Sequence, residues 1–308
     1  MTTWIVANPR AGSGSAARKA PGLTRSLRRA GVEVELIETQ GPCDATRIAR
    51  EARDADVECL VVLGGDGTLN EVCQAYVDSD AQPIPGPDLV IAPGGTGGDF
   101  RKTFGFGDSV EETVRRVVRA QTRPLDLGFL DLSSAQGKTL SRAFINVASF
   151  GIGGLVDRLV NRSPKWWGGR TAFLLGGLRA WTVYRNAPVR VRVDGDVWLE
   201  SPVFNVALAN GRYHGGGMHI APRADPSDGL LDVVALCDLS RSEAPSVMRK
   251  VYQGRHVGCR SVRATRGAVI EAEPIRPVDE VLIDLDGETP GRLPARARMV
   301  PGAVRLRV

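Results

Sequence analysis

The sequence is short of the residues that staple or ligate. Its five cysteines, Cys43, Cys59, Cys73, Cys237 and Cys259, are scattered through 308 residues with no Cys-x-x-Cys. That excludes a disulfide framework and a cysteine zinc site, and it fits a reducing compartment. Histidines number three. His214 and His219 flank a triple glycine with no third nitrogen or sulfur ligand nearby, so loop geometry explains them better than zinc. His256 has no partner visible in the sequence. Long apolar runs are missing too: the best candidate, 172–178, is far too short and glycine-rich to span a bilayer. The opening MTTWIVANPRAGSG lacks a basic-then-apolar signal peptide. The chain is therefore expected in the cytoplasm, with at most transient membrane contact. No internal repeat or low-complexity stretch occurs. No basic–aromatic array lies on one recognisable face, which argues against nucleic-acid binding. No Gly-Lys-Ser or Gly-Lys-Thr follows a glycine loop, and no G-x-G-x-x-G follows the first strand, against the usual dinucleotide fold.

What is present reads as an ordinary globular protein, 43% hydrophobic and 24% charged. The length allows two domains with ample core. The net charge of +5 is mild but uneven. After Glu288 come Arg292, Arg296, Arg298, Arg305 and Arg307 with no acid among them. Such a run suits an anionic partner, either a phosphate or an acidic bilayer; a solvated basic tail is the other reading.

Strand-like and helix-like segments alternate through the first 125 residues. Strands are expected at 4–7, 33–38, 60–63 and 89–92, and helices up to Ala30, at 44–53, from Thr68 and at 110–120. The Thr68-x-x-Glu71 spacing is that of a capping box. This order implies a doubly wound parallel sheet, whose ligands sit beyond the carboxyl ends of the strands. Past Leu125 the rhythm becomes β-rich and mostly antiparallel. The run Val189–Val193 alternates with period two ahead of Asp194-Gly195, a hairpin signal. Further strands are expected at 204–208, 230–236, 268–272 and 281–285, and helices near 155–185 and 242–252. The domains divide as 1–125 and 126–293, the border falling near Arg123–Asp126. The last fifteen residues, 294–308, are left open to pack back onto the first domain.

Three of the four early strands end in glycine-rich loops: Asn8–Gly14, Gly64–Gly67 and Gly94–Asp99. One such loop reads equally well as a tight turn. Three on one edge of a sheet form a pocket rim suited to phosphate, since helix N-termini offer free N–H groups and partial positive charge. Asp66, Asp99 and Thr96 lie in these loops, and carboxylates beside amide cradles suit a magnesium–nucleotide complex. Asp126 and Glu288 are further acids with apolar neighbours, either of which could instead be a capped turn residue.

These stretches resemble a known family. NPRAGSG, GGDGTLNEV and PGGTGGDF are similar to the three signatures of the diacylglycerol kinase catalytic domain. That family includes sphingosine, ceramide and soluble bacterial lipid kinases. The likeness continues through NVASFGIGG at 146–154, NGRYHGGGMHIAPRADPSDGLLDV at 210–233 and LDLDGE at 283–288. It implies an ATP-dependent lipid kinase: an α/β nucleotide-binding domain joined to a β-rich, sandwich-like domain, with the active site in the cleft between. By the resemblance, Asn8, Thr39, Gly64, Gly65, Asp66, Gly67, Thr68, Asn70, Gly95 and Thr96 contact ATP. Asp66, Asp99 and Asp126, with Glu288, form an acidic network around a catalytic Mg²⁺. Asp286 is the general base, with Glu288 its rival. Asp225, Asp228 and Leu230 hold a second, structural Mg²⁺, although Pro226 and Asp228-Gly229 also read as a plain turn. Gly98 stands where the family carries asparagine, and Lys102 where it carries arginine. The implied partner is a lipid at a membrane surface. Trp166 and Trp167, flanked by Lys165 and Arg170, suit a headgroup layer or the packing of a helical pair. The oligomeric state stays open, a homodimer included. A NAD kinase, which shares the Gly-Gly-Asp-Gly loop and two-domain plan, is the rival enzyme. A lipid-binding protein on a kinase scaffold is the non-enzymatic alternative.

Overall fold

The computed structural model describes residues 2–94, 98–134, 136–161 and 183–308. The first part alternates β1 (Thr2–Ala7), α1 (Ser15–Arg29), β2 (Glu33–Glu38), α2 (Asp44–Asp54), β3 (Cys59–Gly64), α3 (Asp66–Cys73), β4 (Asp88–Pro93), α4 (Asp99–Lys102) and α5 (Val110–Arg119). The strands pair in parallel in the order β2-β1-β3-β4. Strand pleating sends alternate side chains to opposite faces. Val61, Leu63 and Val90 meet Leu23 and Leu27 of α1 and Val117 of α5. Leu60, Val62, Leu89 and Ile91 meet Ile48 of α2 and Leu69 and Val72 of α3 on the other side. Both faces are covered, which is why β3 is apolar at every one of its first five positions.

The second part contains β5 (Thr122–Ser133), β6 (Thr139–Phe144), β7 (Val147–Gly151), α6 (Ile152–Asn161), β8 (Ala187–Val193), β9 (Asp196–Ala209), β10 (Leu231–Cys237), α7 (Ala244–Tyr252), β11 (Val262–Gly267), β12 (Val269–Pro274), β13 (Leu282–Leu285) and β14 (Glu288–Arg307). Antiparallel pairing runs β9-β7-β13-β14-β12-β8 and back to β9, a closed ring. Closure leaves no edge among these six strands. Phe150, Val191, Val206, Leu208, Ile270 and Ile283 fill its interior. Asp194 and Gly195 both take positive φ between β8 and β9, as a two-residue hairpin turn requires.

Three sequence expectations change. The helix expected from Thr68 starts two residues earlier, at Asp66, with Gly65 as N-cap. The capping box is not made: Thr68 Oγ1 accepts from Asn8 Nδ2 at 3.1 Å, and Glu71 accepts the N–H of Ala45 at 3.2 Å. The arginine run after Glu288 is not a free basic tail. It is β14, which pairs with β5 along most of its length and ends beside β4, Leu306 opposite Leu89. All five arginines face acids: Arg292 with Glu280, Arg296 with Glu271, Arg298 with Asp131, and Arg305 and Arg307 with Asp88. The third change concerns the border expected near Arg123–Asp126: it lies inside the twelve-residue β5. The helical expectation for 155–185 is met by α6 at its start; most of the remainder lies outside the described residues.

Besides β14, side chains tie the parallel sheet's helices to the β-rich part, Gln74 among them. Gln74, just past α3, donates Nε2 to Ala143 O at 2.7 Å and accepts the Ala143 N–H at 3.0 Å. A two-bond amide clasp of this kind fixes direction as well as distance.

Candidate active site

The carboxyl ends of β1, β3 and β4 open onto one edge of the parallel sheet. Glycine is needed there at two positions for packing. A Cβ on Gly64 would meet Thr68 side-chain atoms at 2.5 Å, and one on Gly94 would meet the Gly64 backbone N at 2.6 Å. Gly65 differs. Its backbone is extended, and a Cβ there would meet nothing within 4 Å. The fold does not demand a glycine at 65, so the open space above it lies free for something else. It sits at the N-terminus of α3, where the first N–H groups of a helix lack intrahelical partners. Asn8 is tied to this turn through Thr68, and Thr39 is anchored by its N–H on Ala7 O at 2.9 Å. Asn70 is buried, its carbonyl and Oδ1 taken by Gln74. Gly95 and Thr96 lie outside the described residues, as do Trp166 and Trp167.

The acids occupy more specific posts than a shared metal network. Asp66 Oδ2 accepts the N–H of Asp99 at 2.9 Å, and its Oδ1 that of Phe100 at 3.2 Å, capping α4 from outside. Burial lifts its carboxyl above the ordinary range, and the charge of Asp99 adds to this against those two donors. Asp99, buried, pairs through Oδ1 with Lys102 at 2.6 Å; its Oδ2 accepts from Gly216 N–H at 2.7 Å and Gly217 N–H at 3.2 Å. Asp126 clasps two loops, accepting from Gly229 N–H at 2.7 Å and Gly302 N–H at 2.8 Å. It does not join Asp66 and Asp99. Among the described residues no three His, Cys, Asp or Glu side chains gather to hold a metal ion. The structural-metal trio is likewise separate: Asp225 pairs with Arg123 and Ser227, Asp228 with Arg266, and Leu230 donates its N–H to Asp228. Each of these acids is met by an amide or a cation, and among the described residues they form no side-chain cage around a common point.

Asp286 comes from the β-rich part. It is buried at the turn after β13, with Oδ1 accepting from Val147 N–H at 2.8 Å and Oδ2 from Ile145 N–H at 3.1 Å. Burial pushes its carboxyl up to about 7, with the negative charges of Asp66 and Asp284 adding to the lift against the two amides. The charge of Asp66, from the first part, thus bears on Asp286. Glu288 is exposed two residues on and pairs in register with Leu285.

Asp284 has no role in the sequence analysis, and His214, read there as loop geometry, has a partner. Asp284 is buried and accepts from Ser149 Oγ at 3.2 Å and Gly287 N–H at 2.9 Å. His214 Nε2 lies 3.2 Å from its Oδ2. The pattern LDLDGE offered a hint of Asp284, but nothing local announces a histidine 70 positions upstream. His256 is fully buried with Nε2 2.9 Å from Ile220 O, a packing role.

Comparison with known proteins decides what this cleft belongs to. Residues 2–130 match the family described as diacylglycerol kinase catalytic domain, and residues 146–308 the YegS C-terminal NAD kinase beta sandwich-like domain. The chain belongs to the diacylglycerol kinase family. The kinase is 29% identical over 300 residues to a diacylglycerol kinase of Mycobacterium tuberculosis, covering 97% of this chain and 92% of that one. A protein of Pseudomonas aeruginosa named "Probable lipid kinase YegS-like" is 31% identical over 280 residues, covering 91% and 86%. A diacylglycerol kinase structure from Bacillus anthracis shares the fold with TM-score 0.69 and 20% identity, covering 99% and 96%. Yeast NADH kinase shares it more loosely, at TM-score 0.54 and 14% identity over 99% and 82%. It is a lipid kinase of the diacylglycerol kinase type. Among the described residues no helix is long and apolar enough to cross a membrane.

Proposed function

We propose that this kinase transfers the γ-phosphoryl group of ATP to a hydroxyl of a lipid such as diacylglycerol or a sphingoid base, with Asp286 as general base. The observation that carries this reading is the buried Asp286 carboxyl, held by the Ile145 and Val147 N–H groups at the turn after β13 and lifted by burial, with the charge of Asp66 at the glycine-rich loop adding to the lift. The lipid oxygen forms its bond to the γ-phosphorus as the bond to the departing ADP oxygen breaks, and the hydroxyl proton passes to Asp286. Phosphoryl transfer depends mostly on positioning and charge neutralisation. The open space over Gly65 and the amides of Gly67 and Thr68 would cradle phosphate; Asn8, Thr39, Asn70, Gly95 and Thr96 are proposed around them. ATP would arrive as its magnesium complex, with the metal held by phosphates and water rather than by a ring of protein acids. The reaction would run in the cytoplasm at a membrane surface, with Trp166 and Trp167 as proposed headgroup contacts.

The test is an acceptor panel of dioleoylglycerol, sphingosine, ceramide and NAD in mixed micelles with labelled ATP. Phosphorylation of a lipid, and its loss by about a hundred- to ten-thousand-fold in Asp286→Asn, is the expected result. Labelling of NAD alone would favour the rival suggested by the NADH kinase fold. Near-normal activity in Asp286→Asn with loss in Glu288→Gln would move the base to Glu288.

A further inference from the structure

The segment between His214 and Met218 is a small hairpin closed at its base. His214 N–H donates to Met218 O at 3.0 Å, and Met218 N–H returns a bond to His214 O at 2.9 Å. Gly215, Gly216 and Gly217 at its tip all have positive φ, so the tip presents N–H groups that a side-chain-bearing residue could seldom aim the same way. Two of those N–H groups grip Asp99, whose own N–H is held by Asp66. The base of the hairpin reaches the other way, through His214 Nε2 to Asp284 Oδ2. Asp284 Oδ1 in turn holds Gly287 N–H, closing the turn in which Asp286 takes φ 48° and Gly287 φ 91°. This is a two-residue hairpin turn like Asp194-Gly195, and the Asp284 bond to Gly287 N–H adds a side-chain hold on it.

We propose that His214 is a positioning residue: the His214–Met218 hairpin links the nucleotide-side acids Asp66 and Asp99 to the turn that aims Asp286. His214 touches no reacting atom in this scheme. Its Nε2 lies against Asp284 Oδ2, and Asp284 fixes the backbone from which the base projects. Through its other end the same hairpin senses where Asp99 stands. This inference rests on the reading of Asp286 as base, and one of its two tests does not.

The first test is a double-mutant cycle in the full-length kinase with dioleoylglycerol and labelled ATP. His214→Phe keeps a ring without the donor and should lower kcat about 10- to 100-fold, in the range of lost orienting partners, with the KM for ATP within about twofold. His214→Gln retains a donor of similar reach and should recover most of the rate. Because the effect passes through Asp286, His214→Phe should cost almost nothing further in an Asp286→Asn background. Full additivity would overturn the proposal. The second test needs no acceptor: in glycine-labelled protein, the Gly287 amide resonance should shift in His214→Phe and return in His214→Gln. An unmoved Gly287 resonance would overturn it as well. If Asp286→Asn proves fully active while Gly287 shifts as expected, the base assignment fails and the linkage stands.

Discussion

Asp66 caps the helix that Asp99 begins: its carboxylate takes the Asp99 N–H at 2.9 Å and the Phe100 N–H at 3.2 Å. The sequence reading set these two acids side by side as metal ligands. In the fold they are successive links, one acid holding the backbone of the other, and the second holding the glycine hairpin at 216–217. The loop after β3, the loop after β4 and the β-rich part are thereby fastened in series.

Asp66→Ala should therefore weaken folding as well as catalysis. It leaves two partly buried N–H groups at the start of α4 without their acceptor, a loss of about 1–3 kcal/mol. Asp66→Asn keeps an acceptor oxygen and should lose less. Urea unfolding of both variants gives the comparison, and equal stability for Asp66→Ala and wild type would remove the cap from the account.

Gly65→Ala separates phosphate binding from folding. A Cβ at 65 meets no protein atom within 4 Å, and the backbone there is extended. The variant should unfold at the wild-type urea concentration, yet the KM for ATP should rise about tenfold or more if phosphate oxygens fill that space. Gly94→Ala, which would press on the Gly64 backbone, should fail in both respects. An unchanged KM in Gly65→Ala would mean that the nucleotide lies elsewhere.

Asp286 gives a signed pH dependence. Its folded carboxyl titrates at about 7, above the ordinary value of 3.8. Between those values the folded chain keeps a proton that the unfolded chain has released. Stability from this group is thus present at low pH and lost as pH rises through 7. The difference in unfolding free energy between wild type and Asp286→Asn should move against wild type from pH 5 to 7, by up to about 1.4 kcal/mol per unit, and level off above. Any constant penalty from the amide cancels in that slope. Over the same range kcat/KM should climb, because the base works as carboxylate. A flat difference would show an acid ionised throughout.

Much of this architecture was legible because the signal was local. Glu33–Glu38 was read with its observed ends, and the alternation at Val189–Val193 with its Asp194-Gly195 turn became a hairpin. What escaped was non-local. Thr68 and Glu71 have capping-box spacing, yet tertiary partners Asn8 and Ala45 claim their side chains, so the helix starts at Asp66. β14 looked like a tail because its arginines alternate with small and apolar residues. For Arg298, Arg305 and Arg307 the acids, Asp131 and Asp88, lie more than 160 positions away. A separation of 70 positions likewise hid His214 from Asp284. Backbone partners are equally invisible in a string of letters: N–H groups meet both oxygens of Asp66 and Asp126 and one oxygen of Asp99, whose other oxygen is held by Lys102.

The C-terminal arginines offer the last discrimination. Arg307 is 3% exposed, bonds Asp88 Oδ2 through Nε at 3.0 Å and donates Nη1 to Val117 O at 2.7 Å. Arg305 meets Asp88 Oδ1 at 2.7 Å from a side chain that is 60% exposed. Removing Arg307 leaves a largely buried carboxylate and a carbonyl short of a donor, though Arg305 still holds one oxygen. Arg307→Ala should accordingly cost about 3 kcal/mol, the low end for breaking a buried pair. Arg305→Ala should cost under about 1 kcal/mol, as exposed pairs do. Were the run instead a docking surface for anionic lipid, Arg305→Ala would weaken co-sedimentation with phosphatidylglycerol vesicles while leaving urea unfolding untouched. The ion pairs across β14 call for the opposite ranking: the damage concentrated in Arg307→Ala, read in stability, with vesicle binding of Arg305→Ala unchanged.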